Sequence, residues 1–444
     1  MKARTKLLLA LLVMMIAMLP MAASAASQTV TTWAELKAAL ADSSVDTIVL
    51  GADLEATEKL TVSRAVTIDG NGYSIKRVSS YKGIMLTISA DVEMTDLTID
   101  GQNNWTFDKA AADATLADPS HRSPDGSYLT PEAGAPSTAM NGSNKALIQI
   151  SAGTTTTDGL TVKNTYSSDS SSLFAVYGTG SLDLTGATIQ HVASKHEATV
   201  VLINSADATV TIDDGTTITD VYGLRNGVVS RINNGTLYMK GGTISDVKGV
   251  NSNGSVFMVY KGTLEMSGGT ISDTTAYPGP NNSNGSTIYI HSSGNMIMTG
   301  GTITDNVGNA SGGIIMLGSA SNLEISGGEV IGNSAISPSR QNNGDLLIVD
   351  SRLATLTGGT FSHNPGEDSV PEGYVVYDNG DGTWTVMPED QVPVEEPEEE
   401  PDEDTAPEEN EAPVTGDSTP IAMLVCLMVI CGAVMFVLSR KVRA

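Results

Sequence analysis

Four aspartates, Asp220, Asp246, Asp273 and Asp305, each stand two residues beyond the apolar member of a Thr-Ile pair. If those pairs mark equivalent strands stacked at about 4.8 Å, the carboxylates form a column. A cation would relieve its repulsion, and oxygen ligands at that spacing suit calcium. The same position holds Gly70, Gly101, Asn164 and Gly332 in other repeats, all turn formers. The column therefore also reads as a corner where Asp accepts backbone amides and starts a turn. His191 flanks it. A second group sets Arg225 and Arg231 near Asp213 and Asp214, the residue types that acid–base chemistry would need. A third group is aromatic: Trp105, Phe107 and Tyr128 share one long irregular stretch with His121 and Arg122. Aromatic faces on a loop suit the C–H surfaces of sugar rings, Trp105 first among them; equally, the rings would pin the loop to its scaffold. His196, His291 and His363 lack metal-ligand spacing, and no Ser-His-Asp, Cys-His or phosphate-loop arrangement is present.

The elements that position these residues are read from a recurring phrase. Gly-Gly-Thr-Ile-Ser-Asp occurs at Gly241 and Gly268, with variants at Gly300, Gly327 and Gly358, at intervals of 27, 32, 27 and 31 residues. Self-similarity at such a period marks a solenoid. Each repeat carries three short β-branched or apolar runs separated by Gly, Ser and Asn, which predicts an all-β parallel β-helix. The apolar markers are Ile68, Ile99, Val162, Ile189, Ile218, Ile244, Ile271, Ile303, Val330 and Phe361, predicting about ten coils. Thr32 and Glu35 form a capping box, and Trp33, Leu36 and Leu40 recur at helical spacing, so Thr32 to Ala41 should be a helix closing the first coil.

The opening Trp33-Ala-Glu35-Leu36, followed by Thr67-Ile-Asp-Gly-Asn-Gly72, resembles the right-handed β-helix proteins of the pectate-lyase-like superfamily over roughly residues 32–364. The resemblance implies a right-handed solenoid. It also implies lyases that use calcium-bound carboxylates with an Arg or Lys base, or hydrolases with clustered carboxylates. The Gly-His-Gly and Asn-x-Asp signatures of the hydrolases and the Trp-x-Asp-His signature of the lyases are absent. One interval, Ile99 to Val162, is about twice a coil, and the excess is an insertion over residues 102–144.

The flanks are of another kind. Lys2, Arg4 and Lys6 precede an apolar run from Leu7 to Leu19 and the small residues Ala23-Ser24-Ala25, which predicts a secretory signal peptide over 1–25 with cleavage after Ala25. Beyond the rod (26–364), residues 365–388 read as a β-hairpin around Asp378-Asn-Gly-Asp-Gly382. Residues 389–411 hold 13 acidic residues and no Lys or Arg, an extended linker that cannot bury a core. Ala412-Pro-Val-Thr-Gly416, an apolar run over 420–438 and Arg440-Lys-Val-Arg443 follow. This order resembles the cell-wall sorting signal of Gram-positive surface proteins. It implies a sortase that cuts between Thr415 and Gly416, recognises Pro413, and joins Thr415 to peptidoglycan. Ala412 departs from the Leu of that motif. The apolar run is long enough to span a bilayer before processing.

Both cysteines, Cys426 and Cys431, lie in that run, so the exported part has no disulfide framework. The net charge of −27 makes nucleic acid a poor partner. The expected function is a surface-displayed adhesin-like or glycan-binding β-helix protein, whose partners are a sortase, peptidoglycan and a polysaccharide or cell-surface ligand. The alternatives are a wall-anchored polysaccharide lyase or glycoside hydrolase, and a passive structural wall protein. No cofactor is expected, calcium excepted.

Overall fold

The repeat phrase is a backbone requirement. The second glycine of each Gly-Gly adopts positive φ at Gly242, Gly269, Gly301, Gly328 and Gly359, a conformation that a Cβ disfavours. The first glycine abuts the coil before it: a Cβ on Gly300 would lie 2.5 Å from the Ser267 carbonyl. The Thr-Ile that follows is a strand, and its Ile packs inward.

The result, seen in a computed structural model, is a parallel β-solenoid. The structure describes residues 26–118, 128–134, 146–168, 172–195, 199–278, 285–309, 311–316, 320–336, 344–348 and 350–393. Strands stack in register into a twelve-stranded sheet, a ten-stranded sheet and a third sheet folded along a corner. The ten-stranded sheet makes nine steps from coil to coil, so the rod has about nine turns. In the corner sheet one coil's strand divides into Thr243–Ser245 and Val247–Val250, which stack separately on the next coil.

The in-register ladder corrects one marker. Ile68 pairs with Ile48 and Met94 in the twelve-stranded sheet, whereas Ile99 pairs with Ile75. The true column starts at Leu54, which pairs with Ile75 on the next coil. The Ile75 strand reads Ser74-Ile-Lys-Arg77, without the Thr that precedes most of the markers.

Trp33–Ala41 is a helix with Thr32 as N-cap. The capping box is displaced by one residue: Glu35 accepts from the Thr31 amide at 2.6 Å, while Thr32 Oγ1 accepts from the Glu35 amide at 3.2 Å. Trp33, Leu36 and Leu40 close the first coils' core. At the other end Tyr374–Asp378 and Trp384–Pro388 form an antiparallel hairpin whose Trp384 and Thr385 pair with Phe361 and Thr360. A buried ladder of side-chain amides ties the last coils: Asn306 Nδ2 donates to Asn333 Oδ1 at 3.0 Å, and Asn333 Nδ2 to Asp345 Oδ1 at 3.1 Å. Among the described residues no helix is long and apolar enough to cross a membrane. The segments read as signal peptide, sorting signal (Pro413, Thr415, Gly416) and most of the acidic linker lie outside the described residues.

Candidate functional site

The insertion folds back onto the rod. Trp105–Phe107 pairs antiparallel with Leu129–Pro131, and a helix, Lys109–Ala117, starts at Asp108, whose side chain accepts the Ala111 amide at 3.0 Å. This unit covers the outer face of the corner sheet, where Tyr166, Ala193, Tyr222, Val250 and Tyr277 of five successive coils make an apolar strip. Phe107 lies 5.6 Å from Tyr222 and 5.7 Å from Tyr277. Tyr277 donates to Asp113 of the insertion helix at 2.9 Å, and burial pushes its phenol up. Trp105 is 4% exposed and Tyr128 7%. The expectation of sugar-stacking rings displayed on a loop is therefore corrected: Trp105, Phe107 and Tyr128 are spent on docking the insertion.

Beneath Trp105 lies a polar cluster of His191, Asp220, Lys248 and Asp246. The Trp105 ring stacks on His191 with centroids 4.3 Å apart and planes within 3°. The Trp105 amide approaches His191 Nε2 at 3.4 Å, and a backbone amide only donates, so Nε2 accepts and the ring proton sits on Nδ1. Nδ1 then donates to Asp220 at 2.7 Å. Lys248 Nζ lies 3.1 Å from Asp220 and 2.8 Å from Asp246, with its side chain 12% exposed and the Phe107 ring 5.8 Å away. Burial pushes the Asp220 carboxyl up, but the hydrogen bonds from His191 and Lys248 and the positive charge of Lys248 outweigh it and hold the group below the usual carboxylate range. With both ring nitrogens engaged, His191 has no lone pair left for a substrate proton. The arrangement holds the insertion to the rod.

The aspartate column is a corner. Asn164, His191, Asp220, Asp246, Asp273, Asp305 and Gly332 all adopt φ between 50° and 67°, the left-handed region that Asn, Asp, His and Gly tolerate best. Between Asp220 and Asp246 the neutralising cation is Lys248, and Asp305 accepts from the Thr304 hydroxyl at 2.9 Å. Among the described residues no three His, Cys, Asp or Glu side chains converge as metal ligands.

The second group is dispersed. Asp213 and Asp214 occupy the turn after the twelve-stranded sheet's Thr209–Ile212, where Asp213 accepts the Asp214 amide at 2.8 Å. Arg225 follows the corner strand Thr217–Leu224, and Arg231 is on the ten-stranded sheet.

Residues 27–131 match the family model described as "Putative pectate lyase-like adhesive domain". The match runs from before the capping helix to the end of the insertion's antiparallel pair, under a quarter of the chain. No curated protein and no solved structure matches the chain. The matched stretch carries the first coils and the insertion unit, whose docking strip lies on later coils outside the match, and the parallel solenoid agrees with its description.

Arg231 belongs instead to a block that the repeat pattern did not single out. In-register pairing sets Arg231, Met258 and Tyr289 in one outward column of the ten-stranded sheet, between inward-facing residues of the core. The next column holds Asn233, Tyr260 and His291, whose amides bond to Ile203, Ile232 and Val259 respectively. His291 is near-parallel to Tyr260 at 5.9 Å and to Tyr289 at 5.5 Å. The Arg231 guanidinium stands 5.6 Å from the Tyr260 centroid and Lys261 Nζ 5.5 Å. Alternation was the available signal: Ile288-Tyr289-Ile290 places an aromatic ring on the outer face.

Proposed function

We propose that this chain is an adhesin-like protein displayed at the cell surface, in which the solenoid is the ligand-bearing part and the C-terminal segment the attachment. The observation that carries this reading is the coincidence of a stretch matching an adhesive-domain family with a rigid parallel β-solenoid. A rigid scaffold displays side chains at fixed spacing along its flank, which suits attachment to a repetitive surface. The sequence supplies the route: a leader ending at Ala25, an acidic linker, and a Pro413, Thr415, Gly416 motif before an apolar run and basic tail.

Two experiments test the proposal. Expressed in a Gram-positive host with its sortase, the protein should fractionate with the wall, and Thr415→Ala should hold it in the membrane fraction. Equal partition of both forms would remove the sorting reading. Cells displaying the chain should adhere to glycan-coated surfaces and release no sugar; shortened or unsaturated saccharides in the supernatant would replace adhesion with catalysis.

A further inference from the structure

Resting on the adhesive reading, we propose that the outer block of the ten-stranded sheet formed by Tyr260, His291, Arg231 and Lys261 is a carbohydrate site for a sugar ring carrying an anionic group. Three observations converge on it. The rings of Tyr260 and His291, from adjacent coils, are within 17° of parallel, so they offer related faces rather than an edge-to-face packing. Met258 and Tyr289, each 5% exposed, pack beside them and fix the platform from the neighbouring column. Such pre-set aromatic surface lowers the ordering cost of a ligand's apolar face.

The charges set the ligand's sign. The chain carries −27 overall, yet two cations flank one ring here, at 5.6 Å and 5.5 Å. Lys261 makes no ion pair among the described residues, its side chain is exposed, and its ammonium lies against Tyr260. Arg231 is half-buried, with Nε donating to Asn233 Oδ1 at 2.7 Å, which holds the guanidinium over the ring. A cation held on an aromatic face donates sideways to an oxyanion while the ring takes the C–H surface beside it. Carboxylate- and sulfate-bearing sugars share that chemistry. A neutral sugar uses the rings alone, and a peptide strand meets no open sheet edge on this face.

The test uses the purified full chain. Its tyrosine fluorescence would be titrated with 3′-sialyllactose, a heparin-derived hexasaccharide, lactose and maltohexaose. The expected result is saturable binding of one or both anionic probes at least tenfold tighter than lactose. Tyr260→Ala should weaken it tenfold or more, and Lys261→Gln three- to tenfold with a flatter salt dependence. Tyr260→Phe should bind like the parent, and unchanged circular dichroism and urea midpoints would show that the Ala and Gln variants fold. The carboxylate and sulfate arms identify which group is read. Equal binding of neutral and anionic probes, no binding of either, or a Tyr260→Ala variant that binds like the parent would each overturn the proposal. Displayed cells separate the two levels: adhesion retained by Tyr260→Ala removes this site and leaves the adhesive reading, whereas a parent that never adheres removes that reading itself.

Discussion

Lys248 settles how two of the stacked aspartates coexist. Its ammonium takes the place a cation would need between Asp220 and Asp246. Lys248→Met should lower stability by about 1 kcal/mol, a figure discounted because both carboxylates are more than a third exposed. A urea midpoint equal to the parent's would show that the pairs contribute nothing. Asp220 adds a pH term. Its depressed pKa stabilises the fold above the unfolded value, near about 3.9, and that stabilisation is lost as pH falls through the folded value. Acidification through about pH 4 and below should therefore loosen the insertion, read as faster amide exchange in Lys109–Ala117. Asp220→Asn should flatten that response, and superimposable profiles would contradict it. The residue types of this column were legible, because Asp, Asn, His and Gly share tolerance of a left-handed corner. The pairing was not: Lys248 holds a position that Tyr166, Ala193, Tyr222 and Thr275 hold in other coils, so no recurring residue type announces it, and only the stacking of coils brings it between two acids.

The insertion shows where legibility ends for an element. Composition shows aromatic rings on a loop but not which way they face. The deciding signal lay elsewhere in the chain, in outward positions of five coils occupied by Tyr166, Ala193, Tyr222, Val250 and Tyr277. An apolar strip on a solenoid's outside calls for a cover. Trp105→Ala should cost about 3 kcal/mol of docking stability. Protection should fall in the insertion helix while the inward ladder residues Ile189 and Ile218 keep theirs, as exchange mass spectrometry would resolve. A uniform loss along the rod would mean that the insertion belongs to the core. The marker at Ile68 failed for a related reason. A Thr-Ile pair is favourable in any strand, and only ladder pairing tells the twelve-stranded sheet from the corner sheet.

For the whole molecule, period and turn chemistry made the parallel solenoid readable from one phrase, because each coil buries its apolar residues against two near-copies of itself. The ends follow from the same logic. A parallel stack has two open edges, and here a helix and a hairpin are set at them. Deleting residues 374–388 should fray the last coils and promote association, visible as a concentration-dependent shift on size exclusion, with the first coils' exchange unchanged. A monomeric deletion variant with intact protection at Phe361 would contradict this.

The direction of the ladder bonds has a mechanical consequence. They run from coil to coil, so if the C-terminal segment is the attachment proposed above, tension entering at that end loads them singly and in sequence. The hairpin bonds at Thr360 and Phe361 give first, and then each coil unwinds. A coil of 27–32 residues pays out about 90–110 Å of chain. The strands Leu346–Ile348 and Ile314–Met316 stand between that end and Ile288–Ile290, so two coils lengthen before the coil bearing His291 is strained. Under that attachment the rod absorbs a tug by extension and keeps its flank folded.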